Sequence, residues 1–321
     1  MKLKYKAGLE LEVFTLRNGK TIPNLSQIID KINKGKHFDI LSVELGARML
    51  EAITPTYQST EDLLLSLRTT IDCLPSDWQI YYSASDPYSN GEAVELVETP
   101  RYVAIINAVR QEKSDSWQGV LQFTKWCSLH VNIGINPWSP LGLLIMNTIN
   151  NVAPYIGFMT REDFPESRGH MAIWRGWTDE ARLPRYGEKY NSFSNFSNRF
   201  KLTKKLIRKV SDDNWSPDLK QSRDPFDRSD LGTNWKFCRP KLSENGVWYI
   251  EIRVLPSMSL KNVEEYVSLL LFGINAILEG FNPEEYEVTD IDFATGVASK
   301  VSRLFPVKSL TEDEWENYFH S

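Results

Sequence analysis

The chain has 321 residues, 41% of them hydrophobic, and a formal net charge of −5. That is enough apolar material for a sizeable core, while the acidic balance excludes a nonspecific nucleic-acid binder, which needs a basic surface. Three scattered cysteines (Cys73, Cys127, Cys238) with no C-x-x-C exclude a disulfide framework and point to a reducing, cytoplasmic setting.

The start, MKLKYKAGLELEVF, is basic but lacks the apolar stretch of a signal peptide. Residues 3–16 read as a strand, with Leu9, Leu11 and Val13 on one face and Glu10 and Glu12 on the other. A helix or loop follows over 21–34, then a second acidic segment over 39–53, closed by Pro55. Its Glu44 and Glu51 share a face two turns apart if the segment is helical, and take opposite faces if it is one regular strand. Ser59 then opens a helix, with Asp62 three residues on. Residues 78–85 read as a strand ended by Asp86-Pro87, and residues 101–110 as a helix.

CSLHVNIGI (127–135) alternates cleanly, with His130, Asn132 and Gly134 on one face. Pro137 and Pro140 lead into the apolar helix LGLLIMNTINNVA. Residues 160–200 are rich in Arg, Gly and aromatics, and Arg161, Arg168, Arg175, Arg182 and Arg185 suit planar recognition of phosphate or carboxylate. Residues 199–210 read as a basic amphipathic helix, and 211–245 as polar and turn-rich. VWYIEIRVL (247–255) reads as a strand with Tyr249, Glu251 and Arg253 on one face, and 260–280 as a buried helix. Its most apolar run, 267–278, is too short to span a bilayer, so no membrane partner is expected. Strands carry the polar faces and helices fall between them irregularly. The expected fold is therefore α+β: a largely antiparallel sheet with one polar face and helices packed on the other, as one domain over 1–321.

An unpaired buried carboxylate is very costly, so acidic sheet faces must meet water, cations or a ligand. Singly, each motif has a plain reading: E-x-E as an exposed edge, His130 as a core histidine, Glu251 and Arg253 as a cross-strand pair. Four such segments in one chain are hard to explain as surface. Carboxylates with one imidazole suit Mg²⁺ or Mn²⁺, which would neutralise and orient a triphosphate.

In order, these motifs resemble the glutamate–cysteine ligase type 2 family and its carboxylate–amine ligase (amidoligase) relatives, within the glutamine-synthetase-like superfamily. G-x-E-x-E resembles Gly8, Glu10 and Glu12; E-x-x-T-P resembles MLEAITP, with Glu51 as its acid and Glu44 at the earlier acidic position. Pro100-Arg101-Tyr102, His130-x-Asn132, Ser167-Arg168, Trp235 with Arg239-Pro240, and Glu251-x-Arg253 are similar to the motifs that follow. The chain departs from the family where Pro256 replaces an Asp and where residues 168–187 take an unusual wording.

The resemblance implies a glutamine-synthetase-like catalytic fold and an enzyme that uses ATP to activate a carboxylate as an acyl phosphate, which an amine then attacks. Glu10, Glu12, Glu44, Glu51, His130 and Glu251 would form the metal cage for Mg²⁺ (or Mn²⁺). Arg253, Arg239 and Arg168 would be catalytic, and Asn132, Ser167, Arg168, Arg175 and Arg185 would bind substrate. A segment around 205–245 would cover the site against water. The partners expected are small-molecule or peptide carboxylates and amines, with a homo-oligomer allowed. A guanidino-kinase-type phosphotransferase and a noncatalytic nucleotide- or peptide-binding descendant are the alternatives.

Overall fold

The computed structural model describes residues 1–86, 96–97, 99–112, 126–163, 185–200, 207–211, 214–219, 226, 236–280 and 310–320. The chain order is β1 (Lys2–Arg17), α1 (Leu25–Asn33), β2 (Leu41–Val43), β3 (Met49–Ile53), β4 (Tyr57–Ser59), α2 (Thr60–Asp72) and β5 (Trp78–Tyr81). It continues with α3 (Pro100–Glu112), β6 (Ser128–Ile133), α4 (Pro140–Asp163), α5 (Phe193–Phe200), β7 (Ile207–Ser211) and β8 (Asn214–Pro217). It ends with β9 (Cys238–Leu242), β10 (Trp248–Pro256), α6 (Leu260–Leu278) and α7 (Glu312–His320).

An antiparallel sheet in the order β2-β3-β1-β6-β10-β9 forms the centre, and β4 and β5 also pair with the long β1. Alternation along each strand divides the two faces. Leu9, Leu11 and Val13 of β1, Val131 and Ile133 of β6, and Ile250 and Ile252 of β10 are wholly buried in a single core with Leu67, Ile149, Val267 and Leu271 of the helices. Helices α2, α4 and α6 cover this face, which leaves the opposite, polar face to build a site.

Local signals fix the helix starts. The Ser59 hydroxyl accepts from the Asp62 N–H at 3.3 Å, as the sequence predicts, and Ser259 does the same for Asn262 at 3.4 Å. Ser139 accepts from the Gly142 N–H at 3.0 Å, so α4 begins at Pro140, where a missing N–H costs nothing. Gly142 is required there: a β-carbon would stand 2.1 Å from the Asn136 carbonyl oxygen.

Helix α4 also grips its neighbours through two side-chain amides one turn apart. Asn150 both donates to the Cys238 carbonyl and accepts from its N–H, each at 2.9 Å, and Asn147 does the same for Tyr190. These contacts seat β9 and the segment leading to α5.

Two expectations change. Residues 199–210 are not one basic helix: α5 runs to Phe200, and Ile207–Ser211 is a strand paired with Asn214–Pro217. The β-branched Ile207 and Val210 prefer extended backbone once a partner strand is adjacent. That second strand, and β9 at 238–242, also give regular structure to part of the segment read as turn-rich. The strand read over 78–85 is shorter, ending at Tyr81.

Candidate active site

The strand register gathers the acidic motifs. Glu12 lies directly opposite Glu51, and Glu10 opposite His130. Asn132, Glu251 and Arg239 line up across β6, β10 and β9. Directly opposed residues share a face, so one band of polar side chains crosses five strands. The Glu44–Glu51 spacing is resolved by a turn. Residues 41–53 form a hairpin with Ser42 opposite Glu51, and Glu44 continues the ladder by donating its N–H to the Met49 carbonyl at 3.3 Å. Two residues beyond Ser42, Glu44 falls on the same face as Glu51. Arg48 holds the turn, donating to Asp86 at 3.1 Å and to Thr21 at 3.2 Å.

The site has an acidic half and a cationic half. In the acidic half, ligand atoms of Glu10, Glu51 and His130 lie within 4.8 Å of one another, and so do those of Glu12, Glu44 and Glu51. Glu51 belongs to both groups. The His130 Nδ1 stands 3.2 Å from Glu10 and 4.0 Å from Glu51, and its Nε2 stands 3.7 Å from Glu12. Asn132 donates to Glu10 at 2.7 Å, the Ser128 N–H to Glu12 at 2.6 Å, and the Tyr102 hydroxyl to Glu44 at 2.9 Å.

In the cationic half, Glu251 is fully buried and held by three cations. Arg239 and Arg253 reach one of its oxygens, the latter at 3.4 Å, and Lys241 reaches the other at 2.5 Å. Glu251 was expected in the metal cage; it stands in neither carboxylate group. The physical reason is its register. Arg239 is its direct partner on β9, and Lys241 follows two residues along the same face.

The site's carboxyls titrate in opposite directions, Glu12 and Glu51 upward and Glu10 and Glu251 downward. Burial, with Glu44 close by, pushes the Glu12 carboxyl up to about 8. Burial, then Glu10, Glu44 and Glu12, pushes Glu51 well up too. For Glu10 and Glu251 burial also opposes ionisation but is outweighed: by Lys241 and the His130 hydrogen bond at Glu10, and by Arg239, Lys241 and Arg253 at Glu251. Both stay below the usual carboxylate range. Burial and Arg253 push His130 down, which keeps the imidazole neutral.

The donor set fits hard divalent cations. Four carboxylates converge with a neutral imidazole whose buried Nε2 has no hydrogen-bond partner among the described residues, and one carboxylate serves two groups. Proton linkage makes this testable. Between the ordinary carboxylate range and about 8, Glu12 is ionised in the unfolded chain and protonated in the folded one, so metal-free stability falls as pH rises through that window. A dication binds the ionised form and displaces those protons. The rise in melting temperature on adding Mg²⁺ or Mn²⁺ is therefore expected to be larger at about pH 8.5 than at about pH 6.5. An equal rise at both pH values would remove the proton-coupled site.

Sequence reasoning missed two contributors. Lys241 carries a signal in hindsight, two residues after Arg239 on an alternating strand. Tyr102 is part of the Pro-Arg-Tyr motif but was given no role. Of the remaining expected residues, Arg185 is exposed, and its charge acts on the buried Lys236 that pairs with Glu188. Ser167, Arg168, Arg175, Arg182 and Trp235, with the side chain of Arg161, lie outside the described residues.

No protein-family model and no curated protein matches the sequence. Among solved structures, the chain is similar to a glutamate–cysteine ligase from Francisella tularensis in complex with AMP, with a TM-score of 0.55, 12% identity, and coverage of 99% of this chain and 77% of that one. This is a likeness of fold. It supports the α+β architecture with an antiparallel sheet. The chain also aligns with a bifunctional glutathione synthetase from Pasteurella multocida (TM-score 0.48, 11% identity, 98% of this chain and 44% of that one). A third alignment is with the complex of the prokaryotic ubiquitin-like protein Pup and its ligase PafA (TM-score 0.37, 9% identity, 98% and 57%). The chain thus spans less than half the length of the glutathione synthetase. Among the described residues, no helix is long and apolar enough to cross a membrane.

Proposed function

We propose that this chain is an ATP- and Mg²⁺-dependent carboxylate–amine ligase that joins a small-molecule or peptide carboxylate to an amine. The observation that carries the reading is the pairing of two carboxylate groups, sharing Glu51, with a cation cluster centred on Glu251 on the same sheet face. Such a face can hold dications on one side and phosphoryl oxygens on the other.

In this reading Glu10, Glu12, Glu44, Glu51 and His130 hold the dications. When bound, these supply charge neutralisation for the triphosphate and fix it for in-line transfer. Arg253 and Arg239 are already fixed by Glu251, so they stabilise charge on the moving phosphoryl group without reorganising. The substrate carboxylate oxygen attacks the terminal phosphorus and ADP leaves. The amine nitrogen then attacks the acyl carbon and phosphate leaves. Asn132, fixed through its amide N–H to Glu10, is the side chain that orients the substrate. Little covalent chemistry is asked of the protein; its contribution is positioning and electrostatics.

The test is Mg·ATP turnover across a panel of acids and amines, with products read by mass spectrometry. The expected result is ADP and phosphate release that needs both partners, with a product lighter by one water than acid plus amine. A phosphorylated amine would move the chain to the phosphotransferase reading. Tight ATP binding without turnover for any pair would favour a nucleotide-binding descendant.

A further inference from the structure

Three cations converge on the single carboxylate of Glu251, and they are not equivalent. Arg239 is 2% exposed and Arg253 15%, while Lys241 is 24% exposed. Both arginines reach Oε2; Lys241 reaches Oε1. Lys241 can therefore leave Glu251 without stranding a buried charge, because the two guanidiniums keep Glu251 paired. Neither arginine could leave so readily, since each is more deeply enclosed and planar forks are harder to re-aim.

The charge of Lys241 also reaches into the acidic half, acting on Glu10 and Glu51 as well as on Glu251, its ion-pair partner. Once dications take up the charge of Glu10, Glu12, Glu44 and Glu51, the three cations are left facing Glu251. Three positive charges against one negative charge call for a further anion of more than one charge.

We propose that Lys241 is a phosphoryl-binding residue that exchanges partners: paired with Glu251 in this structure, it transfers to the terminal phosphoryl group of a bound nucleoside triphosphate. The choice of phosphoryl group rests on the ligase reading above; the exchange itself rests on the geometry of β9 and β10. A lysine suits the task, being a compact charge on a flexible stem that can follow an oxygen as it moves. Its partner change also makes tight anion binding conditional on metal, since without metal the nearby carboxylates compete for the same ammonium.

The experiment measures the affinities of Mg·ADP and of the β,γ-imido analogue of Mg·ATP by calorimetry, for wild type, K241M and K241R. Wild type is expected to bind the analogue more tightly than ADP. K241M should keep its ADP affinity and lose about 10- to 100-fold in affinity for the analogue. K241R should recover most of that loss, and both variants should melt near the wild type. An equal loss for both nucleotides, or none for either, overturns the exchange and makes Lys241 a structural partner of Glu251. If wild type binds neither nucleotide, the ligase reading fails, and Mg·pyrophosphate then decides the anion seat alone. Binding lost in K241M and kept in K241R retains the seat; binding unchanged in K241M, or absent in wild type, removes it.

Discussion

Glu51→Gln is expected to abolish divalent-cation binding at both carboxylate groups in one step while raising the stability of the metal-free protein. Glu51 is the residue the two groups share, so its loss leaves two ligands in each. Cation affinity should fall by at least about 100-fold and turnover by about 1,000-fold or more. The stability gain has the opposite sign for a physical reason. Burial and three carboxylate neighbours push the Glu51 carboxyl up, so the metal-free protein loses stability as pH rises beyond the ordinary carboxylate range. An uncharged amide of the same shape removes that dependence, with a gain on the order of 1–3 kcal/mol near neutral pH. Chemical denaturation without metal and calorimetric titration with Mn²⁺ measure the two effects on one sample. Glu10→Gln and Glu44→Gln each touch a single group and should spare the other. If Glu51→Gln affected only one class of cation site, the shared role assigned to it would be wrong.

Glu251→Gln should act on the fold itself. It leaves Arg239 buried beside Arg253 and Lys241 without the anion that organises all three. Removing one partner from a buried ionic cluster costs about 3–5 kcal/mol. The sign with pH is opposite to that of Glu51. The cations hold Glu251 below the usual carboxylate range, so its stabilising contribution is complete above that range and is lost as pH falls through it towards the folded-state value. The difference in stability between wild type and Glu251→Gln should therefore be large at about pH 7 and smaller at about pH 4. Urea unfolding at both pH values reads it directly. A variant within about 0.5 kcal/mol of wild type at neutral pH would show that the cations are satisfied elsewhere.

What could be read from the sequence followed the range of each signal. The face of β1 was legible because Leu9, Glu10, Leu11, Glu12 and Val13 alternate over a single strand. The caps at Ser59 and the strand holding His130 and Asn132 are equally local. The fold class followed from these, since polar-faced strands without strict βαβ alternation leave few other arrangements. Glu44 and Glu51 were ambiguous because their proximity depends on where the chain turns, and the turn is held by Arg48 and Asp86, which are remote in sequence. The surroundings of Glu251 depend on which strand pairs with β10, and no local pattern reports pairing. Lys241 was passed over because residues 211–245 read as polar and turn-rich, so no strand alternation tied it to Arg239. The stretch at 199–210 failed for a different reason: its apolar residues satisfy both helical and extended spacing, and the adjacent β8 decided between them.

The grip of α4 on β9 has a consequence for how the molecule behaves at high concentration. Among the described residues β9 is the outer strand of the sheet. Its Phe237 carbonyl turns inward to accept from Arg253, so by alternation Cys238 and Pro240 present their backbone outward. Asn150 occupies both outward groups of Cys238, mimicking a peptide neighbour, and Pro240 has no N–H to offer. A strand from another molecule approaching this border meets a ladder already closed at one rung and missing a donor at the next. Asn150→Leu would reopen the first of these, and the cost would appear less in catalysis than in a tendency of the chains to stitch together edge to edge.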